Sequence, residues 1–169
     1  SYAPEMHSYA PDALDPANWN IDLVDAERVW DELGIDGRGA VVADFDTGVD
    51  WDHTALREQY RGWNGSVANH NYNWFEFDAR DPTYWDPNGN YGRSASTTPG
   101  DCSDHGTHTM GTMIGDGGTS DTQIGMAPGA QWIAVPGICN TTMPDGYADT
   151  IGGIRTFQWL MCPTDLSGN

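Results

Sequence analysis

The sequence contains no lysine and little positive charge of any kind. Its seven basic residues are all arginine, and they stand against 25 acidic residues in a chain of 169, which gives a formal net charge of −18. Twenty of the acidic residues are aspartate. So acidic a chain would be repelled by a phosphate backbone, and we therefore expect no nucleic-acid partner.

Long apolar runs and cysteines are also scarce. No run of about 18 apolar residues occurs, so we expect no membrane span. The three cysteines, Cys102, Cys139 and Cys162, form no pattern with structural-zinc spacing, and their odd number leaves at least one thiol free or paired outside the chain. Aromatic residues are plentiful instead, with 8 Trp, 7 Tyr and 4 Phe, which is too much aromatic surface for a disordered acidic chain. We expect a folded, acidic, extracellular domain.

Two mostly apolar runs, 40–45 and 130–135, predict strands that are buried on both faces of a parallel sheet. Residues 105–115 and 147–161 have the patterning of helices that follow each strand. Strands that alternate with helices indicate an α/β fold with a parallel sheet. The apolar residues expected to face inward on the last helix are Ile151, Ile154, Phe157, Trp159 and Leu160.

The remaining regions are a short helix, an arm and a long loop. Residues 25–34 predict a helix with acidic residues in its first turn, an apolar face of Val29, Trp30 and Leu33, and Gly34 as its stop. Proline and asparagine in residues 1–20 predict an extended arm. Residues 62–103 predict a long loop with a possible short strand at 72–77, and such loops are uncommon unless they serve a site or are tied down.

The first motif is the segment from Asp44 to Asp50, which follows the first strand. In α/β sheets this edge presents functional groups. Taken alone, Asp46-Thr47-Gly48 is ambiguous. It fits half of an aspartic protease site, Asp44 and Asp46 together fit a metal-dependent phosphohydrolase, and either Asp fits a simple turn cap.

The second motif runs from Asp104 to Thr112 and opens a helix with a histidine. His105 would be held rigidly there, and Gly106 and Gly111 would permit close backbone approach. His105 and His108 lie three residues apart, which raises the possibility of a metal site, but no third ligand is evident. We therefore expect His108 to be structural.

In combination the two motifs resemble those of the subtilisin-like serine proteases, the subtilases (peptidase family S8). The resemblance extends from Val24 to Trp159 and includes the segment Gly125–Ala130 before the second strand. It is strongest toward bacillopeptidase F-like members, through Asn73-Trp74-Phe75 and 131–135. It implies a three-layer, parallel-sheet subtilisin-like fold. It further implies a catalytic pair in which His105 is the general base and Asp46 orients and stabilises its imidazolium.

The family's third motif, Gly-Thr-Ser-Met-Ala, does not occur in these 169 residues, and neither does its oxyanion-hole Asn segment. The resemblance therefore predicts that residues 1–169 are the N-terminal portion of a single catalytic domain. That domain would belong to a secreted serine endopeptidase acting on proteins or peptides, and this chain alone would be inactive. We expect an exposed apolar face, covered by the remainder of the protease domain or by a second copy.

Several residues depart from the family pattern. Ala55 replaces an aspartate that binds calcium at a site common in the family. Structural calcium is therefore possible, but the usual site is doubtful. The chemistry itself requires no cofactor. The loop 86–90 offers oxygen ligands but fits a solvated turn better. An aspartate at Asp44 is costly on a buried strand without partners, and beside Asp46 it would titrate as one of a coupled pair. A disulfide between Cys102 and Cys139, with Cys162 unpaired or bonded elsewhere, is expected because both would sit at the carboxyl edge of the sheet.

Two other classes of function remain open. One is a noncatalytic binding domain that keeps the subtilase fold. The other is an aspartic protease half that uses Asp46, or a phosphohydrolase that uses Asp44 and Asp46. The distance between a carboxylate oxygen of Asp46 and a ring nitrogen of His105 discriminates between them, since the triad requires hydrogen-bond reach.

Overall fold

The computed structural model describes residues 19–76, 96–118, 123–137 and 150–169. Its elements are α1 (Trp19–Val24), α2 (Ala26–Leu33), β1 (Val41–Asp46), a 3₁₀ helix (Arg57–Gln59), α3 (His105–Ile114), β2 (Gln131–Pro136) and α4 (Thr150–Met161). Across these ranges, no helix combines the length and the hydropathy that a membrane crossing requires.

The two strands form a parallel pair with a helix on each face. Their register runs from Val41 opposite Gln131 to Asp46 opposite Pro136. Successive side chains of a strand point to opposite faces. On one face Trp132 packs in a cluster with residues of α3, and on the other Ile133 packs in a cluster with residues of α4. The α/β, parallel-sheet architecture predicted from the sequence is therefore confirmed, with the layers in the order helix, sheet, helix.

The α3 side of the sheet holds the larger core. Met110 and Ile114 of α3 are fully buried against Trp132, and burial of each such aliphatic side chain contributes about 1.5–3 kcal/mol. The Trp132 indole Nε1 donates a hydrogen bond to the Leu56 carbonyl at 2.8 Å, which satisfies its polar atom inside the core. This core fixes α3, and with it the start of the helix, against the sheet.

Loop residues close the outer edge of β2. The Ala134 N–H donates to the Asn73 carbonyl at 3.2 Å, and the Phe75 N–H donates to the Ala134 carbonyl at 3.4 Å. The short strand expected at 72–77 is reduced to one parallel bridge at Trp74, and residue 77 lies outside the described residues. In its described parts the long loop 62–103 contains no helix or regular strand, and it is tied down at this edge.

The expectation that β1 is buried on both faces is wrong. Val41 is 43% exposed, and Ala43 is exposed as well. Phe45 is half-buried and meets Phe157 of α4 edge-on, with ring centroids 6.1 Å apart. The described elements therefore cover this face of β1 only at its Phe45 end.

The inward face expected for α4 is partly wrong. Trp159 is buried and Leu160 is half-buried, as expected, but Ile154 and Phe157 are exposed, and the side chain of Ile151 lies outside the described set. The buried positions are Gly152, Thr156 and Trp159. The larger apolar side chains of this helix form a stripe that is exposed. That stripe consists of Ile154 (52% exposed), Phe157 (61%) and Met161 (89%).

Helix α2 agrees with its predicted bounds, and Gly34 ends it at φ 65°. Its expected apolar face is wrong, because Val29 and Leu33 are exposed and Trp30 alone is anchored, through a hydrogen bond from its Nε1 to the Met126 carbonyl at 3.0 Å. The predicted arm 1–20 lies outside the described residues except for its last two, which begin helix α1.

Candidate active site

Asp46 and His105 meet at the carboxyl edge of the sheet. Asp46 is the last residue of β1, and His105 is the first residue of α3. His105 Nδ1 lies 2.7 Å from Asp46 Oδ1, a direct hydrogen bond between side chains 59 residues apart in the chain. Their separation is within the reach that a histidine base and its orienting carboxylate require.

This hydrogen bond determines which ring nitrogen carries the proton. A carboxylate oxygen accepts hydrogen bonds, so Nδ1–H of His105 is the donor to Asp46. The lone pair of the neutral ring is then on Nε2, on the far side of the ring from Asp46. The His105 side chain is 64% exposed while that of Asp46 is 13% exposed, so the pair has a covered end and an open end.

Negative charge raises the affinity of His105 for a proton. The hydrogen bond and the charge of Asp46 raise the pKa of His105, and the Asp44 and Asp101 carboxylates add to the increase. A histidine with a carboxylate on one nitrogen and an open second nitrogen can take a proton from a donor at Nε2 and hold it as imidazolium.

Two glycines allow the elements to come this close. Gly48 has φ 100°, and a Cβ there would lie 2.1 Å from the Gly100 carbonyl oxygen. A Cβ on Gly106 would lie 2.1 Å from the Gly48 carbonyl oxygen. Both contacts exclude a larger side chain. Gly111, in contrast, faces open space, so the close approach expected there is wrong.

Sequence reasoning missed Asp101. Its carboxylate accepts hydrogen bonds from the Thr47 and Thr107 hydroxyls at 2.7 and 2.6 Å. Burial alone would raise the pKa of Asp101, but these hydroxyls and the backbone amides of Ser103 and Thr107 together hold it below its ordinary value. The available signal was an acidic residue just ahead of the predicted helix, where a carboxylate can cap free N–H groups.

Asp44 is a buried carboxylate under the same site. It is 9% exposed, and its Oδ2 accepts a hydrogen bond from Thr109 Oγ1 at 3.1 Å. Burial raises the pKa of Asp44 to about 6; the Thr109 hydrogen bond opposes this, and the negative charges of Asp46 and Asp101 reinforce it. Thr109 Oγ1 also lies 3.0 Å from the Gly106 carbonyl. One hydroxyl proton cannot serve both acceptors fully, so a protonated Asp44 that donates to Thr109 satisfies every group.

Replacing Asp44 with asparagine should therefore stabilise the full-length protein at pH 8 but not at pH 4. A folded pKa raised from 3.8 to about 6 means that stability falls as pH rises between these values. The amide introduced by Asp44→Asn would donate to Thr109 as the protonated acid does, without a charge. We expect a gain of about 1–3 kcal/mol at pH 8, measured by denaturant unfolding at both pH values.

The exposed Asp31, on helix α2, provides the control for Asp44. Asp31→Asn removes one negative charge and should change stability equally little at both pH values. If Asp44→Asn shows the same difference from wild type at pH 4 and pH 8, Asp44 does not titrate between them.

His108, Ala55 and the loop 86–90 were the other positions that the sequence singled out. His108 is exposed and lines a cavity of about 380 Å³ together with His53 and Asp50. Within the described ranges, no three His, Cys, Asp or Glu side chains are grouped to hold a metal ion. Ala55 is buried, and its carbonyl accepts a hydrogen bond from the Asp116 N–H at 2.9 Å. The loop 86–90 lies outside the described residues.

The cysteines are consistent with the expected pairing where they are described. Cys102 is disulfide-bonded, and Cys162 is a free, exposed thiol at the end of α4. Cys139 lies outside the described residues. The bonded cysteine adjoins Asp101, so a covalent link lies next to the segment that leads into α3.

A parallel sheet with an aspartate at the end of one strand and a histidine at the start of helix α3 is the arrangement that the resemblance to the subtilases predicts. Residues 37–160 match the family model described as the subtilase family, Peptidase_S8. The chain belongs to the subtilase family.

Curated relatives and a solved structure agree with this assignment. The chain is 39% identical over 160 residues to Bacillopeptidase F of Bacillus subtilis (strain 168), an alignment that covers 93% of this chain and 10% of that protein. It is 31% identical over 147 residues to the minor extracellular protease Vpr of the same organism, covering 83% of this chain and 14% of that protein. The chain thus spans a small part of the length of either relative.

The Clostridium perfringens CspB protease is similar in fold. It superposes with a TM-score of 0.54 at 20% sequence identity, covering 81% of this chain and 29% of that one. At this identity the likeness is evidence for the fold, and it agrees with the three layers described above.

Proposed function

We propose that this chain is the N-terminal portion of the catalytic domain of a secreted serine endopeptidase, to which it supplies Asp46 and His105. The observation that carries the proposal is the 2.7 Å hydrogen bond between His105 Nδ1 and Asp46 Oδ1, in a chain of the subtilase family. The substrates would be proteins or peptides.

The geometry supports a defined sequence of proton transfers. Nε2 of His105 takes the proton of a serine hydroxyl as its oxygen attacks the peptide carbonyl carbon. The imidazolium, stabilised by Asp46, then gives this proton to the leaving amine as the carbon–nitrogen bond breaks, which leaves an acyl-enzyme. Water releases the acyl group through the same base. The nucleophile would come from sequence beyond these 169 residues, since they contain no Gly-Thr-Ser-Met-Ala motif.

The exposed apolar surface fits the same proposal. Ile154, Phe157 and Met161 on α4 lie outside the core, as does Val41 on β1. We propose that the remainder of the catalytic domain covers them, with a second copy of the chain as the alternative. A monomeric, fully active full-length protein would exclude the second copy.

The two other functional classes have no comparable support. Asp46 is hydrogen-bonded to a histidine rather than paired with another carboxylate, and Asp44 is engaged by a threonine hydroxyl. A noncatalytic domain would have no need of an aspartate–histidine pair with an exposed Nε2, so the intact pair argues against that class.

A fluorophosphonate probe, which labels activated serines, tests the proposal. Applied separately to the culture medium and the cells of the source organism, it should label a protein in the medium whose peptides include this chain. The purified 1–169 polypeptide should not be labelled, because it carries the base without the nucleophile. Labelling of the isolated polypeptide would overturn its predicted inactivity. If the full-length protein stays unlabelled, the proposal that it is a serine peptidase is wrong. If it is labelled only in the cells, the proposal that it is secreted is wrong.

A further inference from the structure

We propose that Asp101 is a positioning residue that holds the His105 end of helix α3 in register with the Asp46 loop. The proposal rests on the proposed function, since it concerns how that pair is held. Asp101 contacts neither Asp46 nor His105 directly through its hydrogen bonds. It acts through the backbone on each side of them.

The first link runs from α3 to the loop after β1. The Gly106 N–H donates to Thr47 Oγ1 at 2.8 Å, and the Thr47 hydroxyl donates to Asp101 Oδ1 at 2.7 Å. Gly106 follows His105, and Thr47 follows Asp46. This relay therefore joins the neighbours of both members of the pair.

The second link runs in the opposite direction. The Asp50 N–H, in the loop after β1, donates to Thr107 Oγ1 at 3.0 Å. The Thr107 hydroxyl then donates to Asp101 Oδ2 at 2.6 Å. One relay thus starts on the helix and passes through the loop to Oδ1, and the other starts on the loop and passes through the helix to Oδ2. The loop and the helix cannot shift relative to each other without breaking both relays.

Direct backbone hydrogen bonds fix the carboxylate itself. Oδ1 of Asp101 accepts from the N–H groups of Ser103 and Asp104 at 3.1 Å each, and Oδ2 accepts from the Thr107 N–H at 2.7 Å. Asp104, the residue before His105, has φ 63°, in the left-handed region that Asp tolerates better than most residues. Asp101 stabilises this conformation, which sets the point from which the His105 side chain projects.

A charged acceptor is needed for this arrangement. Five donors converge on one side chain, and hydrogen bonds to an ionised acceptor are roughly twice as strong as neutral ones. Asparagine has the same shape but only one acceptor oxygen. Its amide nitrogen would therefore face either the two Thr107 donors at Oδ2 or the Thr47 hydroxyl at Oδ1, and it cannot accept a hydrogen bond from either. Asp101→Asn must therefore break one of the two relays.

The test compares kcat, KM and the pH profile of the full-length protein on a peptide substrate. Since a misplacement of about 1 Å can cost about 100-fold in rate, we expect Asp101→Asn to lower kcat by about 10- to 100-fold with little change in KM. Thr47→Val, which removes one relay, should lower kcat in the same way. Thr47→Ser, which keeps the hydroxyl, should have a kcat close to that of wild type. The acidic limb of kcat/KM should move to lower pH in Asp101→Asn, because a carboxylate that favours the His105 imidazolium is lost.

Gln123 provides the matched control at the other end of α3. It is buried, and its Nε2 donates to the carbonyls of Gly115 and Gly125 at 2.7 and 3.1 Å. Gln123→Ala should lower the thermal midpoint without moving kcat or the pH profile at temperatures where the protein is folded. If Asp101→Asn behaves like Gln123→Ala, Asp101 is merely structural and the inference fails. If wild type itself is unreactive to the fluorophosphonate, it is the proposed function that fails.

Discussion

Replacing His105 with alanine is expected to lower kcat of the full-length protein by about 10⁶-fold, the size known for loss of the equivalent base in subtilisin. The reason lies in the site geometry. His105 Nδ1 is bound to Asp46, so Nε2 is the single position from which this pair can accept the proton of a nucleophile. In the proposed mechanism, alanine would leave the serine protonated and would give the departing amine no acid.

His108 makes a sharp control for this experiment. It lies on the same helix three residues further on, and it is also exposed, but it has no hydrogen bond to Asp46. His108→Ala removes the same imidazole from α3 and should keep most of the wild-type rate. Both variants should be compared by initial rates on a peptide substrate and by the rate of fluorophosphonate labelling. A loss below about 100-fold in His105→Ala would be too small for the removal of a general base.

Replacing Asp46 with asparagine should lower kcat by about 10⁴-fold while the fold is retained. Asparagine has no charge to stabilise the imidazolium. Its amide group can also donate to Nδ1, which would place the ring proton on Nε2 and block that nitrogen as a base. Asp46 is mostly covered, and asparagine has nearly the same shape, so the fold around the side chain should be kept after the substitution.

The pH profile gives this variant a second signature. Asp46 is the main cause of the raised pKa of His105. In a general base the neutral form is active, so kcat/KM rises as pH increases through this pKa. Without Asp46 the residual activity should reach its plateau at lower pH. Asp52→Asn, which removes an exposed charge nearby in the chain, should leave both rate and profile close to wild type. An unchanged acidic limb in Asp46→Asn would show that Asp46 does not set the pKa of His105.

The two strands and the helix that frame the site could be located from local patterns. The predicted runs 40–45 and 130–135 match β1 (Val41–Asp46) and β2 (Gln131–Pro136), and the predicted helix 105–115 matches α3 (His105–Ile114). Apolar runs and helix signals lie within a few consecutive residues, so these elements could be located without knowledge of their tertiary partners. The end of a parallel strand and the start of the following helix lie at one sheet edge, and for this reason the meeting of Asp46 and His105 was also foreseeable.

Which apolar side chains are buried could not be predicted in this way. Val29, Leu33, Ile154 and Phe157 have the hydrophobicity of core residues, yet all four are exposed. The buried positions of α4 are instead Gly152, Thr156 and Trp159. Which face of a helix is covered depends on what packs against it, and that partner is distant in the chain.

By itself, then, the sequence determined the family, the two strands and the meeting of Asp46 with His105 at their edge, since each depends on a local motif. The tertiary structure alone decided that Asp101 joins the Asp46 loop to α3 and that burial raises the pKa of Asp44. Thr47 and Asp101 are 54 residues apart, and Asp44 and Thr109 are 65 apart. Hydrogen bonds and desolvation act over a few ångströms in space, and separations of this length along the chain leave no local pattern from which such contacts could be predicted.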